Sequence, residues 1–385
     1  MFMLEKAMLG GRRYWEWVGF LLLLIATGAA CYLTQLKYGL AITGLSRNVS
    51  WGLYIAQFTF FVGIAASAVM VVLPCYLHDV HEFHRVTILG EMLAVSAVTM
   101  CMLFIVVDMG QPARVLNVML HPTLHSIMFW DMVSLGGYLL LNAVISIVML
   151  TSERDELPPP RWIRAVIVIS IPWAVSIHTV TAFLYSGLPG RTFWLTAILA
   201  PRFLASAFAA GPSLLILLCL LLRRITKFDV GNQALRKLGI IVAYAMSINV
   251  FFVLLEVFTS FYSGIPRDTE SFRFLFAGLD GDFQMVPWMW TSVTAASVSL
   301  VLLLVPKLRR RNSLLAIAAM LVFISLWIEK GVGLILGGFE PSPLGAVTRY
   351  SPTAPEWGIV VGVWAIGALL ITVFYKITVT VREVR

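Results

Sequence analysis

Ten times along this chain an apolar stretch of twenty or more residues recurs, bounded by short polar or Pro/Gly-containing segments. The stretches are 17–36, 50–77, 87–108, 126–150, 163–186, 196–222, 238–262, 285–305, 314–336 and 356–379. A helix rising about 1.5 Å per residue needs about 20 such residues to cross the hydrocarbon of a bilayer. Inside lipid every backbone N–H and C=O must be bonded within the protein, so runs of this length are read as helices. Hydrophobic residues make up 59% of the chain and charged residues 12%, against about 45–50% and about 25% in soluble domains. The expected fold is an all-α polytopic membrane protein of about ten transmembrane helices. A single transmembrane domain covers 1–385, and no soluble domain fits anywhere. The N-terminal MFMLEKAMLGGRRYWEWVG lacks a small-residue cleavage site and is read as a short interfacial helix leading into the first span.

The net charge of +8 then speaks of loops beside anionic lipid rather than of nucleic acid. Nineteen of the 28 Lys and Arg residues fall in the two termini and the even-numbered loops. By the positive-inside rule both termini are cytoplasmic and the odd-numbered loops face the periplasm or exterior. Two of those outer loops are long: the seventh (263–283) carries Asp268, Glu270, Asp280 and Asp282, and the ninth (337–355) is rich in Pro and Gly. Loops of about 20 residues in a compact chain usually have a function, and these are read as the docking surface for a partner protein.

Ionisable groups inside spans are costly and point to function. Counting residues from the span ends places Trp51, Tyr54, Gln57, Asp108, Asp131, His178, Arg202, Glu256, Glu329 and Lys330 in the outer part of the membrane. Such convergence predicts one polar cavity near the outer face, with Glu329 and Lys330 alternatively a self-neutralised pair. Glu91 lies near the opposite face; with Asn142, Tyr244 and Asn249 it is read as a proton route toward the cytoplasm. Haem held between spans needs two embedded histidines, and iron–sulfur clusters need grouped cysteines. Only His178 of six histidines is embedded, and Cys31, Cys75, Cys101 and Cys219 stand singly. The chain is therefore expected to bind no haem, no iron–sulfur cluster and no metal of its own, and the HDVHEFH segment (78–84) is read as a solvated loop. A quinone suits the cavity better: its tail prefers lipid, and its ring needs hydrogen-bond donors and proton acceptors. Asp108 and His178 are the candidate general bases for a quinol. A secondary transporter, which sets its site at the midplane between broken helices, and a plain membrane anchor are the rival readings.

Several segments resemble one family. SRNVSWGLYIAQFTFFVGIAASA (46–68), GEML with Glu91, DMGQPARVL (108–116), MFWDM (128–132), WAVSIHTVTAF (173–183), LLEVFTSFYSG (254–264) and LWIEKGV (326–332) run in the order of NrfD-like membrane subunits. Relatives of that kind occur in polysulfide reductase, hydrogenase, nitrite reductase and alternative complex III. Within the family the chain looks most similar to the DsrP type of DsrMKJOP complexes in sulfur metabolism. The resemblance implies two four-helix bundles with extra terminal spans and a menaquinone site near the periplasmic face. It implies a quinone-reactive subunit of an oxidoreductase, inactive alone. Its implied partners are a periplasmic four-cluster ferredoxin-like subunit (DsrO-like), a multihaem cytochrome c (DsrJ-like), a membrane cytochrome b (DsrM-like) and a cytoplasmic iron–sulfur subunit (DsrK-like). By matching motifs, Asp108, His178, Glu256 and Glu329 are the functional polar set, with Trp51, Gly52 and Tyr54 at the site entrance. Some relatives place His where Asp108 stands, in an HxGRP pattern. Gly110 and Pro112 stop the helix beyond Asp108, and Arg114 is expected to hold the Asp108 carboxylate as its counter-ion.

Overall fold

The computed structural model describes the chain apart from residues 1–9, 78–80, 227 and 384–385. The first nine residues of the expected interfacial helix, and Lys6, His78, Lys227 and Arg385, therefore lie outside the described residues. Ten helices are long and apolar enough to cross a membrane: Arg12–Ile42, Leu53–Cys75, His84–Asp108, Ile127–Asp155, Trp162–Ser186, Leu199–Ile225, Asn232–Ser263, Val286–Leu304, Asn312–Phe339 and Ala354–Val381. They are called spans 1 to 10 below. Each overlaps one of the apolar stretches, as the length argument requires.

Spans 2 to 5 pack in sequence, and span 5 returns to span 2, closing one four-helix bundle. Spans 6 to 9 close a second in the same way. Span 2 meets spans 6 and 9, and span 5 meets span 6, so the two bundles join along span 2. This position explains its sequence, since every residue from Leu53 to Ala65 is buried and a helix surrounded by protein is apolar on all sides. Spans 1 and 10 pair outside the first bundle, with span 10 lying on span 3. Their backbones nearly touch: a Cβ on Gly28 would stand 2.6 Å from the Gly362 Cα. Small residues allow this close approach, on which helix packing in lipid depends.

Two helices are irregular where the sequence suggested continuity. Span 2 breaks after Ala65 and resumes at Val69. Irregular backbone at membrane depth persists only where protein satisfies it. Here the Ala65 carbonyl accepts the Tyr138 hydroxyl at 3.2 Å, and the Ser67 hydroxyl donates to the Gly90 carbonyl at 3.1 Å. Gly211 makes room: a Cβ there would lie 2.7 Å from the Ser67 nitrogen. Span 9 carries a π-helical turn over Trp327–Gly333, a local widening often found at functional sites.

All odd-numbered loops gather at one end of the bundles. Loop 7 contains a helix, Pro266–Phe276, that buries Phe272, Phe274 and Leu275. Loop 9 is tied across its neighbours: Asn48 donates to the Thr348 hydroxyl at 2.8 Å, Arg191 to the Phe339 carbonyl at 2.8 Å, and Arg267 to the Pro343 carbonyl.

Candidate functional site

The polar residues of the spans do lie toward the odd-loop end, but they form separate networks rather than the single cavity expected from depth alone. Span 2 stands between them, packed against spans 3 and 5 on one side and spans 6 and 9 on the other.

The first network is in the second bundle. Arg202, one turn into span 6, donates one guanidinium nitrogen to Glu256 of span 7 and another to Glu329 of span 9. All three side chains are buried. Glu256 Oε1 and Glu329 Oε2 have no hydrogen-bond partner among the described residues. The alternative pairing of Glu329 with Lys330 is not formed. Successive residues on a helix point in different directions, and Lys330 turns the other way on the π turn. Its Nζ donates to the Phe203 carbonyl at 3.2 Å and lies 4.4 Å above the Phe203 ring centre. Gly63 of span 2 makes space for it: a Cβ there would stand 3.2 Å from Nζ. The ammonium thus sits where the two bundles meet.

The second network is in the first bundle. The Thr181 hydroxyl donates to Asp131 Oδ1 at 2.7 Å. One turn away, His178 is fully buried and neither ring nitrogen has a partner among the described residues. Tyr185 shares a hydroxyl hydrogen bond with Thr59. Its ring joins an aromatic roof, in which Trp51 stacks on Trp194 at 5.9 Å and meets Tyr185 and Phe339 edge-on.

The third network joins spans 1, 2, 3 and 10. The Tyr54 hydroxyl donates to Gln35 Oε1 at 2.7 Å, and Gln35 Nε2 donates to the Val107 carbonyl at 2.6 Å. Beside it Asp108 keeps Oδ1 buried and without a partner among the described residues, within electrostatic reach of Tyr54 and Glu356. The expected Asp108–Arg114 pair is absent: Arg114 is exposed and makes no ion pair among the described residues. The chain turns out of the helix at Met109, and the short 3₁₀ turn Pro112–Arg114 points the guanidinium away. Glu356, in the first turn of span 10, is fully buried. Its Oε1 accepts the Tyr350 hydroxyl at 2.7 Å, and its Oε2 accepts the Gly44 and Thr353 N–H groups at 2.7 and 2.8 Å. Tyr350 in turn accepts the Leu53 N–H at 2.8 Å, so this knot fixes the start of span 2 against loop 9.

Next to the knot a largely apolar groove runs between spans 2, 8, 9 and 10, walled by Gly52, Leu53, Trp288, Trp327, Tyr350 and Trp357. The Trp327 and Trp364 indole N–H groups both donate to Gln57 Oε1, at 2.9 and 3.1 Å. Two donors on one oxygen settle which end of the amide is which. Gln57 Nε2 is then left buried with no partner among the described residues. Gln35, Tyr185, Tyr350 and Glu356 had no signal in the sequence beyond their residue type.

Of the residues of the expected proton route, Glu91 and Asn142 both neighbour Tyr138. Asn142 Nδ2 donates to the Tyr138 carbonyl at 2.8 Å, and Tyr138 is within electrostatic reach of Glu91, beside the break in span 2. Asn249 is buried in the other bundle. Tyr244 is 67% exposed on the outer face of span 7 and so is no part of an interior path.

One group outside the spans has a pH consequence. Glu340, just past span 9, is buried, its Oε2 accepts the Thr348 N–H at 3.0 Å, and its Oε1 has no partner among the described residues. Burial pushes its carboxyl up from 4.5 to about 7, opposed by the Thr348 N–H and by Arg191. A folded-state value above the unfolded one means that folding retains a proton. The contribution of this group is therefore complete below the unfolded value and is lost as pH rises through the folded one. The melting midpoint should fall between mildly acidic and neutral pH more steeply in the parent protein than in Glu340→Gln. Equal slopes in the two proteins would refute the assignment.

The family model for polysulphide reductase, NrfD, matches residues 41–337. A Halobacterium salinarum protein that carries the name of a dimethyl sulfoxide reductase membrane subunit is 28% identical, covering 92% of this chain and 89% of its own. The Hdr-like menaquinol oxidoreductase integral membrane subunit of Archaeoglobus fulgidus is 23% identical over 94% of this chain and 93% of its own. The menaquinone reductase integral membrane subunit of Nitratidesulfovibrio vulgaris is 23% identical over 94% and 91%. With ten membrane-crossing helices in place and the family match running from the end of span 1 to the last turn of span 9, this chain belongs to the NrfD polysulphide reductase family of multi-pass membrane proteins.

Proposed function

We propose that the chain is the quinone-reactive subunit of a membrane oxidoreductase complex, with the quinone ring seated in the groove of Trp288, Trp327, Tyr350 and Trp357. The observation that carries this reading is an aromatic-walled groove with an unpartnered buried amide, Gln57 Nε2, behind its Trp327 wall. Flat aromatic walls suit a flat ring, an amide N–H suits a quinone carbonyl, and the partly exposed Trp288 and Trp357 mark an exit for the tail into lipid. The enclosed part of the groove is about 80 Å³, less than the roughly 150 Å³ that holds benzene. Binding therefore moves a wall, and rotation of Trp327 both makes room and releases Gln57. One relative is named for menaquinol and another for menaquinone; the quinol would supply two electrons and two protons when bound. Tyr350 lines the groove and is bonded to Glu356, which is in electrostatic reach of Asp108. Asp108 is accordingly the acceptor assigned to a quinol proton. His178 and the Arg202 triad stand in other networks and are assigned no contact with the ring.

In this reading the odd-loop face is periplasmic, both termini are cytoplasmic, and the whole chain acts as one domain. Electrons pass to an iron–sulfur subunit docked over loops 7 and 9, as in a DsrMKJOP-like assembly. Loop charge and the family resemblance support that arrangement.

The test is steady-state oxidation of a short-chain menaquinol analogue by the intact complex, expressed per assembled complex. Gln57→Leu should lower kcat/KM by about tenfold, the equivalent of about 1.4 kcal/mol for a lost hydrogen bond. A rate within about twofold of the parent, on that same scale, would remove the ring from the groove. No oxidation by the parent complex would remove the quinol reading itself.

A further inference from the structure

A different cavity, of about 150 Å³, opens at the odd-loop end of the second bundle. Its walls carry the hydroxyls of Thr192, Thr196, Thr259, Ser260 and Ser263, with the half-exposed Asp268 beside them and Glu256 among the lining residues. Polar walls and that volume hold several waters. The aromatic groove has the opposite character and shares no lining residue with this vestibule. Glu256 is more than nine-tenths buried; Arg202 takes one of its oxygens and the other has no partner among the described residues. Behind it, Glu329 repeats the arrangement on the same guanidinium, again with one oxygen left over.

Four other charged groups lie around Glu256 and Glu329. Arg202 comes from span 6, Glu329 and Lys330 from span 9, and Asp268 from the helix of loop 7. Lys330 is turned to the Phe203 carbonyl and forms no ion pair with either glutamate among the described residues, so Arg202 is the one cation bonded to both carboxylates. Removing charge from water is costly, and each glutamate keeps one oxygen free of the guanidinium, where a proton on either one lowers the buried negative charge.

We propose that Glu256 and Glu329 form a proton-storage site that exchanges with water on the odd-loop side through this hydroxyl-lined vestibule, with Glu256 the group that meets the water. The site stands apart from the quinone groove, and its test does not depend on quinol oxidation.

The experiment uses the intact complex in membrane vesicles and reads modification by peptide mass. A hydrophobic carbodiimide adds across the O–H of a protonated carboxyl: the carboxylate oxygen bonds to the carbodiimide carbon, the proton moves to its nitrogen, and rearrangement leaves a stable N-acylurea. An adduct is expected on Glu256 or Glu329, declining as pH rises. Glu329→Gln leaves one carboxylate for one guanidinium, and the Glu256 adduct should then fall several-fold. Ser260→Cys and Thr196→Cys are near-isosteric and should react with a charged, membrane-impermeant thiol reagent added on the odd-loop side. His121→Cys, at an exposed residue of loop 3 on the same side, is the positive control, and Val298→Cys, on the lipid-facing side of span 8, should stay unreacted. A purely structural ion triad predicts no adduct on either glutamate at any pH at which the complex stays assembled, and that result would overturn the proposal. So would vestibule cysteines that stay unreactive while His121→Cys reacts.

Discussion

Arg202→Gln should abolish recovery of the folded chain, or lower its melting midpoint more than any other single polar substitution in the spans. The guanidinium is buried and bonded to Glu256 and Glu329 at once. Its loss leaves two carboxylates facing each other inside the second bundle without their shared cation. Breaking a buried ion pair by removing one partner costs about 3–5 kcal/mol, against a total stability of about 5–15 kcal/mol in a typical protein. Arg202→Lys should recover only part of this, because an ammonium is a point donor and cannot fork between two acceptors as a guanidinium does. The triple substitution Arg202→Gln, Glu256→Gln, Glu329→Gln removes the charge altogether and should restore more stability than either Glu→Gln change added to Arg202→Gln. Size-exclusion profiles and melting midpoints of the purified protein give the readout. A parent-like midpoint for Arg202→Gln would mean that the three side chains do not form an ion triad.

Gly52→Ala carries the second large expected effect. The φ of Gly52 is −122°, outside the left-handed region, and the expected effect rests on the space around it. A Cβ there would fall inside 3.0 Å of the ring and hydroxyl of Tyr350. Tyr350 has little freedom to withdraw, since it is bonded both to Glu356 and to the Leu53 N–H. Overpacking costs about 1–3 kcal/mol, and a lost hydrogen bond to a charged group about 1.5–3 kcal/mol. Gly52→Ala should therefore lower the melting midpoint by several degrees and suppress quinol oxidation, because the same ring walls the groove. Tyr350→Leu removes the obstacle as well as the hydroxyl. If the close approach is real, the double variant will be less destabilised than the two single effects added together. Additive effects, or a harmless Gly52→Ala, would dispose of it.

The ten spans were legible because lipid imposes one rule on every crossing segment: length, apolarity and internal hydrogen bonding. The ionisable residues within them stood out for the same reason. Arg202, Glu256, Glu329, His178 and Asp131 are too costly in lipid to sit there without a partner or purpose. Their common end of the molecule followed from counting residues along each helix.

Which of them meet was not legible. In water the polar face of a helix reveals its orientation, but in a bilayer the lipid-facing side and the protein-facing side are equally apolar. Span 7 shows the consequence, with Tyr244 outward and Asn249 inward on a helix of no useful polarity. Neighbours in sequence misled for a related reason. Glu329 and Lys330 are adjacent, and Asp108 and Arg114 lie six residues apart, yet neither pair forms. The π turn of span 9 separates the first, and the exit of the chain at Met109 separates the second. Their actual neighbours come from distant spans: Arg202 for Glu329, and Tyr54 and Glu356 for Asp108. The number of crossings, and the identity of the residues too polar to face lipid, are properties of residue order alone. The partners of those residues are not, because partnership depends on the rotation of each helix about its axis. That rotation is set by close approaches such as Gly28 to Gly362 and Gly211 to Ser67, between residues far apart in the chain.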